Sequence, residues 1–431
     1  MQQDQFVITQ VRGLLALDSR GNPTVKAVVR AAGGVGVAIA PSGASKSSKE
    51  AVELRDGGTR WGGMGVSQAV AGLNTVIAPR LVGLDSREQA RIDGMLIELD
   101  GTPNKSRLGG NVTTAVSLAV AKAAASSAGL ELFQYLGGPG ARTLPTPLLN
   151  VVNGGVHAGN QLAFQEFIII PVGASTFSDA MMISVEVYKS LKAYITDKYG
   201  KTATNLGDEG GYAPPMRDVR EALTALSEAI KAAGYELGSD FYLGIDAASS
   251  QLYNPDRKTY AVDGRELDPG SLLELYRSLA DEFSLAYLED PFHEDDLDHS
   301  AELTAKLAGR TLVVGDDLYA TNVRYLATGI SKRATSGALV KVNQVGTLTE
   351  ALQYVRIAWE GGMRPVVSHR SGDTEDPFIA DLAVAVGAGL IKTGAPARSE
   401  RLAKYNRLLE IEDLLGPTAT YAGKEPFRVL A

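Results

Sequence analysis

The sequence predicts an α/β barrel preceded by a smaller α+β domain, and three observations carry that expectation. The chain has 431 residues, too long for one ordinary domain but suited to a small domain followed by a barrel of about 250 residues or more. Its second part holds a series of short apolar runs, several of which end in a charged or polar side chain. Between the two parts glycine and proline cluster in LGGPGARTLPTP (136–147), the punctuation of a domain boundary. The expected units are therefore residues 1–140 and residues 141–431.

In the first unit, segments 6–17 and 24–30 carry the β-branched residues of strands, and 112–128 is alanine-rich with helical character. This is an α+β pattern. In the second unit the apolar runs end at Asp246, Glu289, Asp316, Lys341, His369 and Lys392, the last five about 25 residues apart. Helical segments such as 301–307, 348–359 and 380–386 lie between them, so strand and helix alternate and a parallel sheet is implied. An open doubly wound sheet would alternate in the same way. Six or more successive units ending in functional groups fit a closed barrel better, because a barrel gathers the C-terminal ends of many strands at one site.

An apolar fraction of 45% and a charged fraction of 21% supply a large core without metal or disulfide staples. No apolar run reaches the roughly 18 residues of a membrane span, and MQQDQFVITQ lacks the basic start and apolar stretch of a signal peptide. A cytoplasmic location is expected. With no cysteine, any metal must be held by oxygen or imidazole, which favours a hard cation. A net charge of −8 argues against nucleic acid as the main partner.

Buried carboxylates are costly unless paired or bound to a cation, so Asp246, Glu289 and Asp316 converging on one barrel mouth would make an oxygen-rich site for Mg²⁺. Any one of them alone could equally cap a helix or pair with a lysine. Lys341 and Lys392 also end apolar runs, and burial beside a dication would lower a lysine's pKa enough for it to act as a base. Either could instead be a structural partner of the acids. Glu166 in QLAFQEF and Glu209 in the Gly-rich TNLGDEGGYAPP are further candidate acids, and His157 sits between glycines in NGGVHAGN. His293 and His299 lie among acids and read as surface residues. His369, Arg370 and Ser371, followed by Gly372, combine a cation, a bidentate fork and a hydroxyl in a way that suits a phosphate group.

Taken together and in order, LDSRGNPTV (17–25), PSGAS (41–45), EAVELRDG (50–57), NGGVHAGN (153–160), GDEGGYAP (207–214), EDPF (289–292), GDDL (315–318), KVNQVGT (341–347), SHRSGDTED (368–376) and IKTGAPARSERLAKYN (391–406) resemble the enolase family over nearly the whole chain. The resemblance implies an enolase-type modified α/β (TIM-like) barrel with one reversed strand, beside an α+β N-terminal domain. It implies a Mg²⁺-dependent dehydratase that converts 2-phosphoglycerate to phosphoenolpyruvate in glycolysis, using two Mg²⁺ per active site. Asp246, Glu289 and Asp316 would hold the first ion, and Ser45 would help hold the second. Lys341 would be the base that removes the proton beside the carboxylate, and Glu209, assisted by Glu166, the acid that helps hydroxide leave. Lys392 and the metals would stabilise the enediolate. Arg370 and Ser371 would grip the phosphate, with His157, Gln165 and His369 lining the pocket. At least a homodimer is implied, acting on a small phosphorylated carboxylic acid, with no membrane or nucleic-acid partner.

The chain departs from the family pattern in places. PSGAS continues with Lys46 and Ser47 where Thr-Gly is usual, GGNVTTAVSLA (109–119) replaces an Ala-Asn-Ala version, Gln251 stands for a glutamate, and Pro377 is atypical. Lys46 near the phosphoryl end could balance an extra charge on the substrate. That fits the alternative of carboxyphosphonoenolpyruvate synthase, an enolase-like enzyme of phosphonate antibiotic biosynthesis, with Lys46 binding substrate. A racemase or ammonia lyase of the wider superfamily would share the metal acids but have no use for the phosphate grip or the Glu166–Glu209 pair. A non-catalytic relative would have lost the base or a metal ligand, and neither is lost.

Overall fold

Strands β1 (Ile8–Leu17), β2 (Pro23–Ala31) and β3 (Val35–Ile39) form an antiparallel sheet in that order in the computed structural model, which describes residues 4–44 and 46–428. Ser45, expected at the second Mg²⁺, lies outside the described residues. Asp18 closes the β1–β2 turn by accepting from the backbone N–H of Arg20 and Asn22, each at 2.9 Å, and Gly21 supplies the φ of 75° there. Helix α1 (Gln89–Asp100) packs on helix α2 (Gly110–Ala128), which lies against the sheet. Helix α2 is buried on almost every side, as a helix apolar all round should be. Its alanines and Gly36 permit a close approach: a Cβ on Gly36 would stand 1.9 Å from the Ala119 carbonyl oxygen.

The rest of the chain closes an eight-stranded barrel. Its strands are β4 (Thr146–Asn153), β5 (Glu166–Pro171), β6 (Phe241–Asp246), β7 (Leu285–Glu289), β8 (Leu312–Gly315), β9 (Gly337–Val340), β10 (Arg364–Ser368) and β11 (Leu390–Lys392), paired in that order. Lys392 opposite Leu148 shuts the ring. Outside it run α3 (Phe177–Tyr199), α4 (Val219–Ala232), α5 (Pro269–Glu282), α6 (Leu297–Leu307), α7 (Val323–Lys332), α8 (Leu348–Glu360), α9 (Phe378–Ala385) and α10 (Ser399–Leu415). The alternation expected from sequence holds from β6 onward.

One strand breaks the parallel sheet that the alternation implied. Strand β5 is antiparallel to both neighbours, because residues 154–165 join β4 to β5 without the helix that a parallel crossover needs. The reversal has a consequence for chemistry. Glu166, the first residue of β5, pairs with Asn153 and Asp246, the last residues of β4 and β6, so it joins the strand ends at the C-terminal mouth. Inside the barrel Leu148, Ile168, Ile170, Tyr287, Val314, Leu339, Val366 and Leu390 pack together, with Phe427 beneath.

The N-terminal domain docks beside that mouth. Lys105 reaches Glu350 at 2.9 Å and Lys122 reaches Asp376 at 2.5 Å. Ser42 and Gly372 exchange backbone hydrogen bonds at 2.8 Å, and Asn343 Nδ2 donates to the Pro41 carbonyl at 3.3 Å. These contacts bring the loop after β3 against the barrel. Among the described residues, no single helix is long and apolar enough to cross a membrane.

Candidate active site

Seven barrel strands deliver their C-terminal ends, and the reversed β5 its first residue, to one place, and the charged residues that end the apolar runs meet there. A small polar cavity is lined by His157, Gln165, Glu166, Glu209, Asp246, Lys341, Ser368, His369, Arg370, Ser371 and Lys392. Strand β6 carries Asp246, β7 carries Glu289 and β11 carries Lys392, while Asp316, Lys341 and His369 each follow the last residue of a strand. Glu209 and His157 come from loops outside the strands.

Lys392 stands at the centre of the acids. Its Nζ is 2.7 Å from Glu289 Oε2, 2.8 Å from Asp246 Oδ2 and 3.2 Å from Glu166 Oε1. Burial pulls its pKa down, but its interactions with Asp246, Glu166 and Glu289 outweigh that and raise the value well above the ordinary lysine range. Lys341 is bonded to Asp316, which also accepts from Gln344 Nε2 at 2.9 Å. Burial acts downward on Lys341 too, yet Asp316 wins and the pKa is raised. The expected lowering supposes a dication beside the lysine; the carboxylates by themselves act the other way. Glu289 is pushed up to about 7 by burial and by Asp246, and Tyr287 donates to it at 2.6 Å.

Opposite these stands a pair of carboxyl groups with divergent environments. Burial and the neighbouring Glu209 charge push Glu166 well above the ordinary range. Glu209 is fully buried as well, but His369, His157 and the Arg401 guanidinium more than offset the burial and hold it well below. Its Oε2 accepts from Asn150 Nδ2 at 3.0 Å and lies 3.3 Å from His369 Nε2, while Oε1 lies 3.7 Å from His157 Nδ1. Two acids pushed apart in this way are the mark of an acid–base site.

The third group is cationic. Arg370 is buried and forks onto Glu50, NH1 to Oε2 at 2.8 Å and NH2 to Oε1 at 3.1 Å. Ser371 Oγ accepts from the Ala44 N–H at 2.6 Å. Gln165 donates to Asp246 Oδ2 at 3.2 Å. Glu289 and Asp316 stand just behind the cavity lining, against Lys392 and Lys341, whereas Lys46 is held away from the cavity altogether. Its Nζ lies 3.1 Å from Glu53 Oε2, and its side chain is 42% exposed. Glu53 is nearly buried and also bonded to Arg55 and Ser42, so the lysine completes its neutralisation away from the cavity.

The oxygen donors for a hard cation are present but spread. Sets of three acid or imidazole donor atoms within 4.8 Å of one another occur at His157–Glu166–Glu209 and at Asp290–Asp316–Asp317. Asp246, Glu289 and Asp316 do not form such a set; Lys392 lies against the first two and Lys341 against the third. Three carboxylates, a partnerless Glu166 Oε2 and two ammonium groups already in the same space fit a site built for a cation.

The comparisons with known proteins agree with this geometry. Residues 8–136 match the model of the enolase N-terminal domain, and residues 141–430 match that of the enolase C-terminal TIM barrel domain. The chain is 60% identical over 423 residues to an enolase of Aeropyrum pernix, covering 98% of each chain. It is 54% identical over 422 residues to an enolase of Pyrococcus furiosus, again over 98% of each. The chain belongs to the enolase family. Enolases depend on Mg²⁺ and act on a small phosphorylated carboxylic acid, and the anionic and cationic halves of this mouth suit both. The enolase-like phosphonate enzyme is not favoured: relatives at this identity are named as enolases, and Lys46, which suggested it, is engaged by Glu53.

Several residues of the site were not singled out in the sequence. Glu50 and Arg401 lay inside the quoted EAVELRDG and ARSERLAKYN motifs, where neighbouring charges gave no reason to choose them. Asn150 had a signal, as the one amide in the apolar run PLLNVV, since a polar side chain in a buried strand needs a partner.

Proposed function

We propose that this chain dehydrates 2-phosphoglycerate to phosphoenolpyruvate, with Lys341 as base and the Glu166–Glu209 pair as proton donor. One observation carries the residue roles. In the ring of eight strands β5 and β9 are four apart and so diametrically opposed, and Glu166 begins β5 while Lys341 follows β9. A substrate between them would lose a proton toward one wall and hydroxide toward the other. Lys341 takes the proton from the carbon beside the carboxylate, and the Glu166–Glu209 pair is placed to protonate the departing hydroxide. Lys392, fixed as a cation, stabilises the negative charge that grows on the substrate carboxylate. Arg370 and Ser371 hold the phosphate, and His157, Gln165 and His369 complete the walls.

Two Mg²⁺ ions, the first on Asp246, Glu289 and Asp316 and the second also reaching Ser45, would neutralise the carboxylates that keep Lys341 protonated and supply positive charge at the substrate carboxylate. The same reading includes a boundary between residues 140 and 141, a cytoplasmic enzyme and at least a homodimer.

The test is direct. Purified protein mixed with Mg²⁺ and 2-phosphoglycerate should produce the ultraviolet absorbance of phosphoenolpyruvate at roughly tens of turnovers per second. Chelating the metal or replacing Lys341 by alanine should abolish it. A folded, Mg²⁺-binding protein without turnover would overturn the substrate, and full activity of Lys341→Ala would overturn the base.

A further inference from the structure

We propose that Arg401 is a positioning residue of this site: its buried guanidinium fixes the tautomer of His369, so that the imidazole carries its proton on Nε2 and presents it to Glu209. The inference rests on the reading of Glu209 as half of the proton-donating pair.

Arg401 lies in the first turn of α10 and is fully buried. Its NH1 is 2.5 Å from His369 Nδ1 and 2.6 Å from the Arg370 carbonyl oxygen, and its NH2 is 2.5 Å from the Ser371 carbonyl and 3.3 Å from that of Asp208. A guanidinium offers only N–H donors and does not give up its proton. Nδ1 of His369 must therefore accept, which leaves it without hydrogen. A neutral ring then carries its hydrogen on Nε2, and an imidazolium would set N–H against N–H and cation against cation. Nε2 faces Glu209 Oε2 at 3.3 Å without the alignment of a full hydrogen bond and has no other partner.

The charged groups around the ring are Glu209 from its loop, Arg401 from α10 and Asp373 from the ring's own loop. Lys392 meets His369 through its backbone carbonyl, which accepts the His369 N–H at 2.9 Å. A free histidine titrates across neutral pH and could drain a proton from nearby carboxyls. Locked by Arg401, His369 turns its Nε2–H toward Glu209 and takes no proton, so the proton for the departing hydroxide stays on the carboxyl pair. Through the carbonyls of Asp208, Arg370 and Ser371 the same guanidinium aligns the Glu209 loop with the loop that holds the phosphate-gripping groups.

The protein has four histidines, so long-range ¹H–¹⁵N spectra of ¹⁵N-histidine protein resolve each ring, with His369 assigned by its loss in His369→Gln. The expected pattern is bare Nδ1 and protonated Nε2, constant between about pH 6 and pH 9. An Nδ1–H tautomer or an imidazolium in the folded protein overturns the proposal. Arg401→Met should release the ring to titrate and lower kcat by about 10- to 100-fold, the worth of a charge-assisted hydrogen bond. Arg401→Lys, which keeps a donor for Nδ1, should restore the Nε2–H pattern. An unchanged pattern in folded Arg401→Met also overturns the proposal, and if that variant does not fold the wild-type and Arg401→Lys spectra decide. Glu209→Gln separates the two readings: undiminished turnover refutes the role of Glu209, whereas the tautomer is read independently of activity.

Discussion

Lys46 shows how much a side chain's meaning depends on what it touches. In the sequence it stood beside the PSGAS loop as a cation near a phosphoryl group. In the structure Glu53 takes it, within a cluster that includes Arg55 and Ser42. Burial acts to raise the Glu53 pKa, but Lys46 and Arg55 outweigh it and hold it below the ordinary 4.5. A depressed folded value means that this contribution to stability is fully present above pH 4.5 and is lost as pH falls through the folded value. Lys46→Thr should therefore leave kcat and KM for 2-phosphoglycerate within about twofold, costing at most about 1 kcal/mol at neutral pH for a half-exposed partner. It should also move acid unfolding to a higher pH, as followed by circular dichroism. A large rise in KM would return Lys46 to the substrate. At this scale the sequence was legible where a charge ends an apolar run, as at Asp246, Glu289 and Lys392, because the strand delivers it to the mouth. It was not legible at Arg401, which acts through a ring 32 residues away in the chain.

The elements read well where periodicity and connection both speak. Strands β1 and β2, the alanine-rich α2 and the helices over 348–359 and 380–386 fall where the sequence puts them, within a residue or two at the ends, while the helix expected over 301–307 begins four residues earlier, at Leu297. Strand β5 does not declare its direction, because EFIIIP is apolar on both faces and orientation is set by the connection before it. That connection also decides chemistry, since reversal places the first residue of the strand, Glu166, at the mouth. The packing of α2 on the first sheet is likewise encoded at one position. A Cβ on Gly36 would lie 1.9 Å from Ala119 O and 2.4 Å from Ala123 N, both backbone atoms of a helix that cannot move aside cheaply. Gly36→Ala should cost about 1–3 kcal/mol or more, as overpacking does, measured as a lower urea midpoint. An unchanged midpoint would mean that the sheet and helix are less closely apposed than the structure shows.

At the scale of the whole molecule, the barrel supplies the acids, the lysines and the phosphate-gripping loop, while the N-terminal domain supplies what orients that loop. Glu50 joins the two. It holds both arms of Arg370 across the domain interface, accepts from the Ser47 N–H at 3.2 Å and faces Gln344 Nε2 at 3.4 Å, with Gln344 in turn bonded to Asp316. One carboxylate thus ties the loop after β3, the phosphate grip and the metal acids into a single network. Glu50→Gln keeps the size and one acceptor but removes the charge and the fork-on-fork geometry that specifies where the guanidinium points. The loss should be about 1–3 kcal/mol in stability, little relieved by salt because the pair is buried. KM for 2-phosphoglycerate should rise several-fold or more with a smaller change in kcat, because Arg370 then binds phosphate from a less ordered start. Steady-state kinetics and thermal unfolding on the same preparation separate the roles. Lower stability with unchanged KM would make Glu50 a clamp between the domains and nothing more, whereas a rise in KM that persists at high salt would tie the two domains to one binding event.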